Sequence, residues 1–138
     1  MKRYLGLDIG DRTIGIAVSD PLGLTAQGVE TIRRKSLDKD LDRLGELMEQ
    51  YETRSLVSGY PKNMNGSEGD RCDVVKAFLE KVKERFPDVD VALWDERLST
   101  VAASRSLLEA DVSRKKRKKV IDKMAAVFIL QGYLDRIR

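Results

Sequence analysis

Alternation of apolar and polar residues in the first third of the chain predicts three antiparallel strands. Residues 4–9 have the pattern of a strand, residues 10–12 that of a turn, and residues 13–19 that of a second strand, which together predict a hairpin. Residues 20–23 have turn composition, and residues 24–33 are expected to form a third strand. The chain therefore opens with a predicted three-stranded meander.

The middle of the chain changes to apolar residues spaced three and four apart, which is typical of amphipathic helices. This spacing predicts a helix over residues 37–51 and a second over 72–86, where Pro87 prevents continuation. A short strand at 55–58 precedes the second helix, and a strand at 89–94 follows it. Cys72 and Trp94 are expected in the core.

Two further helices are predicted at about 100–110 and 119–137, separated by a run of basic residues. The order of elements predicts one α/β domain over residues 1–138. Its sheet is expected to be mixed and five-stranded, an antiparallel meander plus two parallel strands, flanked by helices.

Composition predicts a cytoplasmic protein that does not enter membranes. The chain has 138 residues, 41% hydrophobic and 36% charged, and no apolar run approaches the roughly 18 residues that a membrane span needs. The N-terminus lacks the pattern of a secretory signal. The single cysteine, Cys72, cannot form an internal disulfide, which favours a reducing compartment.

The absence of histidine restricts the chemistry. It excludes a histidine general base and histidine-ligated zinc, and a single cysteine excludes a thiolate zinc site. A bound metal must therefore have oxygen ligands, which selects Mg²⁺, Mn²⁺ or Ca²⁺.

Six of the 26 basic residues lie in one run, here called the basic block. Outside it the chain has 20 basic and 23 acidic residues, so the net charge of +3 is local. Such a run is often only a solvated stretch, but next to a helix that carries an acidic residue it favours contact with nucleic-acid phosphates. The basic block consists of Arg114, Lys115, Lys116, Arg117, Lys118 and Lys119.

Asp8 lies on a predicted strand whose face is otherwise nearly without side chains. Alternate strand residues share a face, so Asp8 accompanies Gly6 and Gly10. Such a face suits a closely packed helix, or a phosphate backbone with a metal ion; ordinary turn chemistry is the alternative. The neighbouring strand adds small residues at Gly15, Ala17 and Ser19.

Asp122 is the second unusual carboxylate, at the start of the strongly apolar predicted helix 119–137. It shares a helix face with Ala125, Ala126 and Ile129. An alanine face fits a glycine face, which would bring Asp122 towards Asp8. The alternative is an acidic residue in a first helical turn, favoured by the helix dipole.

Asp95 and Glu96 directly follow the predicted strand 89–94, where α/β sheets place their sites. Strand parity does not choose between them, because Asp95 would share one face and Glu96 the other. Ser99 or Thr100 is a candidate N-cap for the next helix.

Three acidic positions on separate elements, the absence of histidine and the basic block together favour two-metal phosphodiester hydrolysis. In that chemistry carboxylates hold two divalent ions about 3.5–4 Å apart, which activate a water and stabilise the leaving oxygen. The expected cofactor is Mg²⁺ or Mn²⁺, and the expected partner is nucleic acid.

Motifs along essentially the whole chain, in the same order and spacing, resemble the YqgF (RuvX-like) family. They are Leu7-Asp8-Ile9-Gly10, Gly15 to Asp20, Gly59-Tyr60-Pro61 with Asn63, Gly66, Ser67 and Gly69, Asp95 to Thr100, and Asp122 with Ala125-Ala126 and Ile129-Leu130-Gln131. The one departure is Tyr60, where a leucine is usual.

The resemblance implies an RNase-H-like fold related to Holliday-junction resolvases. It also implies Asp8, Glu96 and Asp122 as the acidic triad, with Asp95 adjacent as a candidate fourth ligand. Members of the family are described as nucleases that process the 5′ end of precursor 16S rRNA, and earlier as junction resolvases. We expect one of these activities, with the protein a monomer or a homodimer.

The expected substrate contacts are the basic block together with Asn63, Gly66 and Arg97. The loop 59–69 is either a substrate-contacting or gating loop or a flexible connector, and its composition favours neither strongly.

Two other classes of function compete. Asp8-Ile9-Gly10 before a tight turn also resembles the first phosphate loop of actin-like ATPases, but those proteins clamp nucleotide between two such domains. A non-catalytic nucleic-acid-binding factor is the other alternative, although pure binding gains nothing from carboxylates that face phosphates.

Overall fold

The computed structural model describes the backbone of residues 2–98 and 114–138, and the side chains of residues 2–98 and 124–138. The strands are β1 (Leu5–Ile9), β2 (Thr13–Ser19), β3 (Ala26–Arg33), β4 (Ser55–Tyr60) and β5 (Asp90–Asp95). The helices are α1 (Leu37–Gln50), α2 (Asp70–Arg85) and α3 (Arg114–Ile137), and Glu96–Leu98 form a 3-10 turn.

The five strands form one mixed sheet in the order β3-β2-β1-β4-β5, which confirms the predicted architecture. β1 pairs antiparallel with β2 and parallel with β4, and β4 pairs parallel with β5. The carboxyl ends of β1, β4 and β5 therefore meet at one edge of the sheet, called here the carboxyl edge.

Helices cover both faces of this sheet. On one face, alternate residues of β1 and β2, among them Leu7 and Ile16, pack with residues of α1 and α2 such as Leu44 and Phe78. On the other, which we call the α3 face, small and apolar strand residues pack against α3. The two faces therefore divide the core into two clusters.

α3 approaches the sheet closely because the strand residue beneath it is a glycine. A Cβ added at Gly6 would lie 2.7 Å from Leu130 Cβ and 3.1 Å from Ala126 O. Ala125 and Ala126 are themselves buried in this layer. The predicted match between an alanine face and a glycine face is confirmed.

The C-terminal half of α3 is fixed to the amino ends of β1 and β3. Tyr133 contacts Tyr4 edge to face, with ring centroids 5.5 Å apart. Gln131 accepts a hydrogen bond from Ala26 N (2.9 Å) and donates one to Leu24 O (3.0 Å). Since Leu130 lies over Gly6, earlier residues of α3 extend towards the carboxyl edge.

Several predicted boundaries differ from the observed ones by one or two residues, and two of the differences have a clear physical reason. β4 continues to Tyr60, beyond the predicted end at residue 58, because parallel pairing with β5 extends to Tyr60↔Asp95. α3 begins at Arg114, so the basic block lies inside the helix rather than between two helices. The predicted helix at 100–110 lies outside the described residues.

In the described part of the chain no helix is long and apolar enough to cross a membrane.

We expect Gly6→Ala to destabilise the protein by about 1–3 kcal/mol, the usual cost of forcing an extra carbon into a packed core. The added Cβ would meet the Leu130 side chain and the α3 backbone, and the backbone cannot rotate away. Urea denaturation measures the change.

Gly28→Ala is the matched control, since Gly28 is an exposed glycine of strand β3 and its φ is not positive. Equal stability of the two variants would show that α3 does not lie against Gly6.

Candidate active site

Asp8 lies on the α3 face near the carboxyl end of β1. Its side chain is 6% exposed, and its partner in the β1–β2 register is Gly15. It shares this face with Gly6, two residues earlier, which lies under α3. The strand thus places a buried carboxylate in the layer between the sheet and α3.

Glu96 lies on the same face as Asp8. Strand alternation in the sequence had left open whether Asp95 or Glu96 would lie there. Two residues earlier, the Trp94 ring packs on Gly132 of α3, where an added Cβ would lie 2.9 Å from the ring. Glu96 is 8% exposed, and its Oε2 would lie 3.0 Å from a Cβ added at Gly59. Glu96 is therefore directed over β4.

The positions of Asp8 and Glu96 converge through β4. Leu7 pairs with Ser58, so the next residue of β4, Gly59, lies beside Asp8 on the adjacent strand, about 4.8 Å away. Because Gly59 has no side chain, the space above it is available to the Glu96 carboxylate and to Ile129 of α3. Two buried carboxylates thus occupy neighbouring places at the carboxyl edge.

Asp122 lies in α3, one turn before Ala125 and Ala126, and its side chain lies outside the described residues. Its backbone position is about 12 Å before Leu130 along the helix axis, towards the carboxyl edge. It is eight residues from the start of the helix, so the reading of Asp122 as a first-turn residue was wrong. Among the described side chains, no three candidate metal ligands form a group.

Asp95 lies on the opposite face of the sheet from Glu96 and is paired with Arg97. Arg97 Nη2 lies 2.7 Å from Asp95 Oδ2, and the Arg97 backbone N–H donates to Asp95 Oδ1 at 3.0 Å. The guanidinium holds the pKa of Asp95 below its ordinary value, and the carboxylate raises the pKa of Arg97. These bonds close the turn that carries Glu96.

Arg97 also contacts the loop that follows β4. Gly66 has a φ of +88°, a conformation that favours glycine, and a Cβ there would lie 3.3 Å from Arg97 Nη1. The Asn63 side chain forms a hydrogen bond within the loop, donating from Nδ2 to Ser67 Oγ at 3.0 Å. The structure therefore brings Gly66 and Arg97 together.

The backbone of the basic block begins α3, and its side chains lie outside the described residues.

A polar cluster that the sequence analysis missed fixes the loop to the sheet and to α2. The Tyr60 hydroxyl donates to Glu68, and Lys76 Nζ lies 2.5 Å from Glu68 Oε1. Burial and this hydrogen bond raise the pKa of Tyr60, while the bonds from Lys76 and Tyr60 lower that of Glu68. Tyr60, the departure from the resembled family, thus contributes a hydroxyl that a leucine lacks.

Comparison with known proteins identifies close sequence relatives. Residues 2–136 match the family model described as RuvX, Holliday junction resolvase. A protein of Desulforamulus reducens named "Putative pre-16S rRNA nuclease" is 59% identical over 133 residues, which cover 96% of each chain. A protein of Clostridium botulinum with the same name is 58% identical over 98% of each chain.

Solved structures show the fold. Thermus thermophilus RuvC in complex with a Holliday junction substrate matches with a TM-score of 0.61 and 13% identity, covering 99% of this chain and 96% of that one. The fowlpox virus Holliday junction resolvase matches with a TM-score of 0.54 and 14% identity, covering 99% of both chains. The predicted RNase-H-like fold is confirmed.

Removal of the Arg97 guanidinium is expected to raise the pKa of Asp95 towards its ordinary value. Because the folded-state pKa of Asp95 is depressed, the pair stabilises the fold above the ordinary aspartate pKa of about 3.9. We therefore expect Arg97→Gln to lower stability by up to about 1 kcal/mol at neutral pH, with the difference vanishing as the pH falls below the folded pKa.

NMR titration of the Asp95 side chain and unfolding at several pH values provide the measurements. Arg71→Gln is the control, since Arg71 is exposed and has no ion pair among the described side chains. An Asp95 titration that is the same in both variants would contradict the assigned pairing.

Proposed function

This chain belongs to the RuvX family, and we propose that it is a metal-dependent nuclease whose active site contains Asp8, Glu96 and Asp122. The observation that carries this proposal is the convergence of two buried carboxylates, from β1 and from the end of β5, on the face of the sheet that α3 covers. α3 brings the position of Asp122 towards the same edge.

The donors at this site fit a hard divalent cation. Asp8 and Glu96 offer carboxylate oxygens, and the whole sequence has no histidine and a single cysteine, buried in the other core cluster. Carboxylate oxygens suit Mg²⁺ and Mn²⁺. Asp8, Glu96 and Asp122 would hold the ions, which we propose to be two. Bound divalent ions lower the pKa of a coordinated water and neutralise charge on the phosphate.

The remaining residues have supporting roles in this proposal. Gly59 leaves room for the Glu96 carboxylate, and the Asp95–Arg97 pair closes the turn that orients it. Asp95 therefore acts as a positioning residue rather than as the candidate fourth ligand. Arg97, Asn63 and Gly66 border the site on the loop side, and the basic block supplies phosphate contacts from the first turns of α3.

For the substrate we propose the 5′ end of precursor 16S rRNA, processed in the cytoplasm. Two relatives that match nearly the whole chain at 58–59% identity carry the name of a nuclease for this precursor. The second candidate is a four-way DNA junction, since the matching family model is described as a Holliday junction resolvase. A resolvase cuts two strands symmetrically, so this candidate also requires a homodimer.

We expect Asp8→Asn to abolish cleavage without lowering the stability of the metal-free protein. Asparagine keeps the shape of the side chain while it removes one hard ligand and one of several clustered negative charges. Mg²⁺ or Mn²⁺ should raise the melting temperature of the variant less than that of the wild type, because weaker binding to the folded state stabilises it less.

Asp73→Asn provides the matched control, because Asp73 is an exposed aspartate on α2. It should retain both cleavage and the metal-dependent rise in melting temperature. A folded Asp8→Asn enzyme that still cleaves would refute the active-site assignment. Loss of stability with and without metal would instead indicate a structural role for Asp8.

Side-by-side cleavage assays separate the two substrates. With Mn²⁺ present, we expect the wild type to cut a fragment that contains the 5′ end of precursor 16S rRNA and to leave a four-way DNA junction intact at the same enzyme concentration. Cleavage of the junction alone, in paired symmetric positions, would favour the resolvase. Failure with both substrates would favour the non-catalytic binding factor.

A further inference from the structure

Three exposed basic residues lie together at the carboxyl edge, on the side of β2 and β3. Arg12 is in the turn between β1 and β2, Arg33 ends β3, and Lys35 precedes α1. Thr13 pairs with Arg33 in the sheet, and Arg34 N donates to Arg12 O at 2.8 Å. We call Arg12, Arg33 and Lys35 the turn surface.

The backbone beneath the turn surface is held by Arg34. Its guanidinium donates to Gly10 O at 2.9 Å, lies 3.2 Å from the buried Asp40 carboxylate, and stacks over the Phe78 ring. Asp40 also accepts from Lys35 N at 3.2 Å. These contacts tie the turn to the core, so a ligand would meet a preorganised backbone rather than order a flexible loop.

Sheet geometry places Arg33 on the same face as Asp8. Ile32 belongs to the core beneath α1 and α2, so its neighbour Arg33 emerges on the α3 face. The register runs from Asp8 through Gly15 to Thr31, two residues before Arg33. The backbone of Arg33 is therefore about 10 Å across the sheet from Asp8 and about 7 Å further along the strand direction, past the end of β1.

The charged groups of the turn surface make no ion pair or side-chain hydrogen bond with the described residues. Most other described arginines bind a carboxylate or a carbonyl, whereas the Arg12, Arg33 and Lys35 side chains have no ion pair or hydrogen bond with a described residue. Asp11, in the same turn, is also exposed, so the turn surface keeps a net positive charge. The arginines with such partners are Arg3, Arg34, Arg43, Arg54, Arg85, Arg97 and Arg138.

We propose that the turn surface binds backbone phosphates of the nucleic-acid strand that enters the site beside Asp8. This deepens the proposed nuclease function and rests on it. The contact would be made through phosphate charge and would be independent of base sequence. It adds a second basic surface to the basic block, on a different part of the fold.

Salt dependence of binding tests the proposal. Binding of a fluorescein-labelled single-stranded RNA with the 5′ precursor sequence is followed by anisotropy, without divalent ions, from low to moderate salt. Arg12→Gln/Arg33→Gln should weaken binding at low salt and reduce the slope of log K against log salt by about 1.4, since each lost phosphate contact contributes about 0.7 for a single strand.

Lys83→Gln/Arg136→Gln is the control, because it removes the same charge from exposed positions on α2 and at the end of α3. The control should keep the wild-type slope and cleavage rate. Equal slopes for the two double variants, with a wild type that binds and cleaves, would overturn the turn surface alone. A wild type that neither binds nor cleaves would overturn the nuclease proposal as well.

Discussion

The close approach of α3 to the sheet is the constraint on which the arrangement depends. An extra carbon at Gly6 would collide with Leu130 and with the helix backbone, and one at Gly59 would lie 2.5 Å from Ile129 Cδ1. Buried alanines on the helix keep the distance short from the other side. Strand carboxylates and a helix carboxylate can share one site only if their backbones come this near.

The adjacent residues Asp95 and Glu96 have different roles because they lie on opposite faces of the sheet. Trp94 is anchored on Gly132, which fixes the direction of β5 at its end. Strand alternation then places Asp95 towards the loop and Glu96 towards α3. The first carboxylate binds Arg97 and shapes the turn, while the second enters the layer that contains Asp8. One short segment thereby joins the candidate site to the loop that borders it.

Most of the fold was predictable because its strands alternate and its helices repeat regularly. The glycine face containing Asp8 and the alanine face after Asp122 were visible in the sequence, since strand and helix periodicity assign residues to faces. The start of α3 was not predictable in this way. Lysine and arginine favour helix but carry no apolar repeat, so the basic block had the pattern of a linker.

Other features needed tertiary pairing. Strand alternation could not choose between Asp95 and Glu96, because that choice depends on where β5 ends and on its register with β4. Gly59 and Tyr60 had loop composition, yet parallel pairing makes them strand. The bonds that join Tyr60, Glu68 and Lys76 connect ordinary residue types on three elements, and no local pattern indicates such a cluster.

Calorimetric titration of Mn²⁺ into wild type, Asp8→Asn, Glu96→Gln and the double variant tests the central claim that the two carboxylates hold the same metal site. If they do, each single substitution lowers Mn²⁺ affinity by at least about tenfold, because loss of even an outer contact to a metal ligand costs roughly 10–100-fold. The double variant then loses little beyond either single one, because ligands of one site are coupled. A shared site would be contradicted if the fold-loss of Mn²⁺ affinity in the double variant equalled the product of the two single losses. It would also be contradicted if neither single substitution changed the Mn²⁺ affinity.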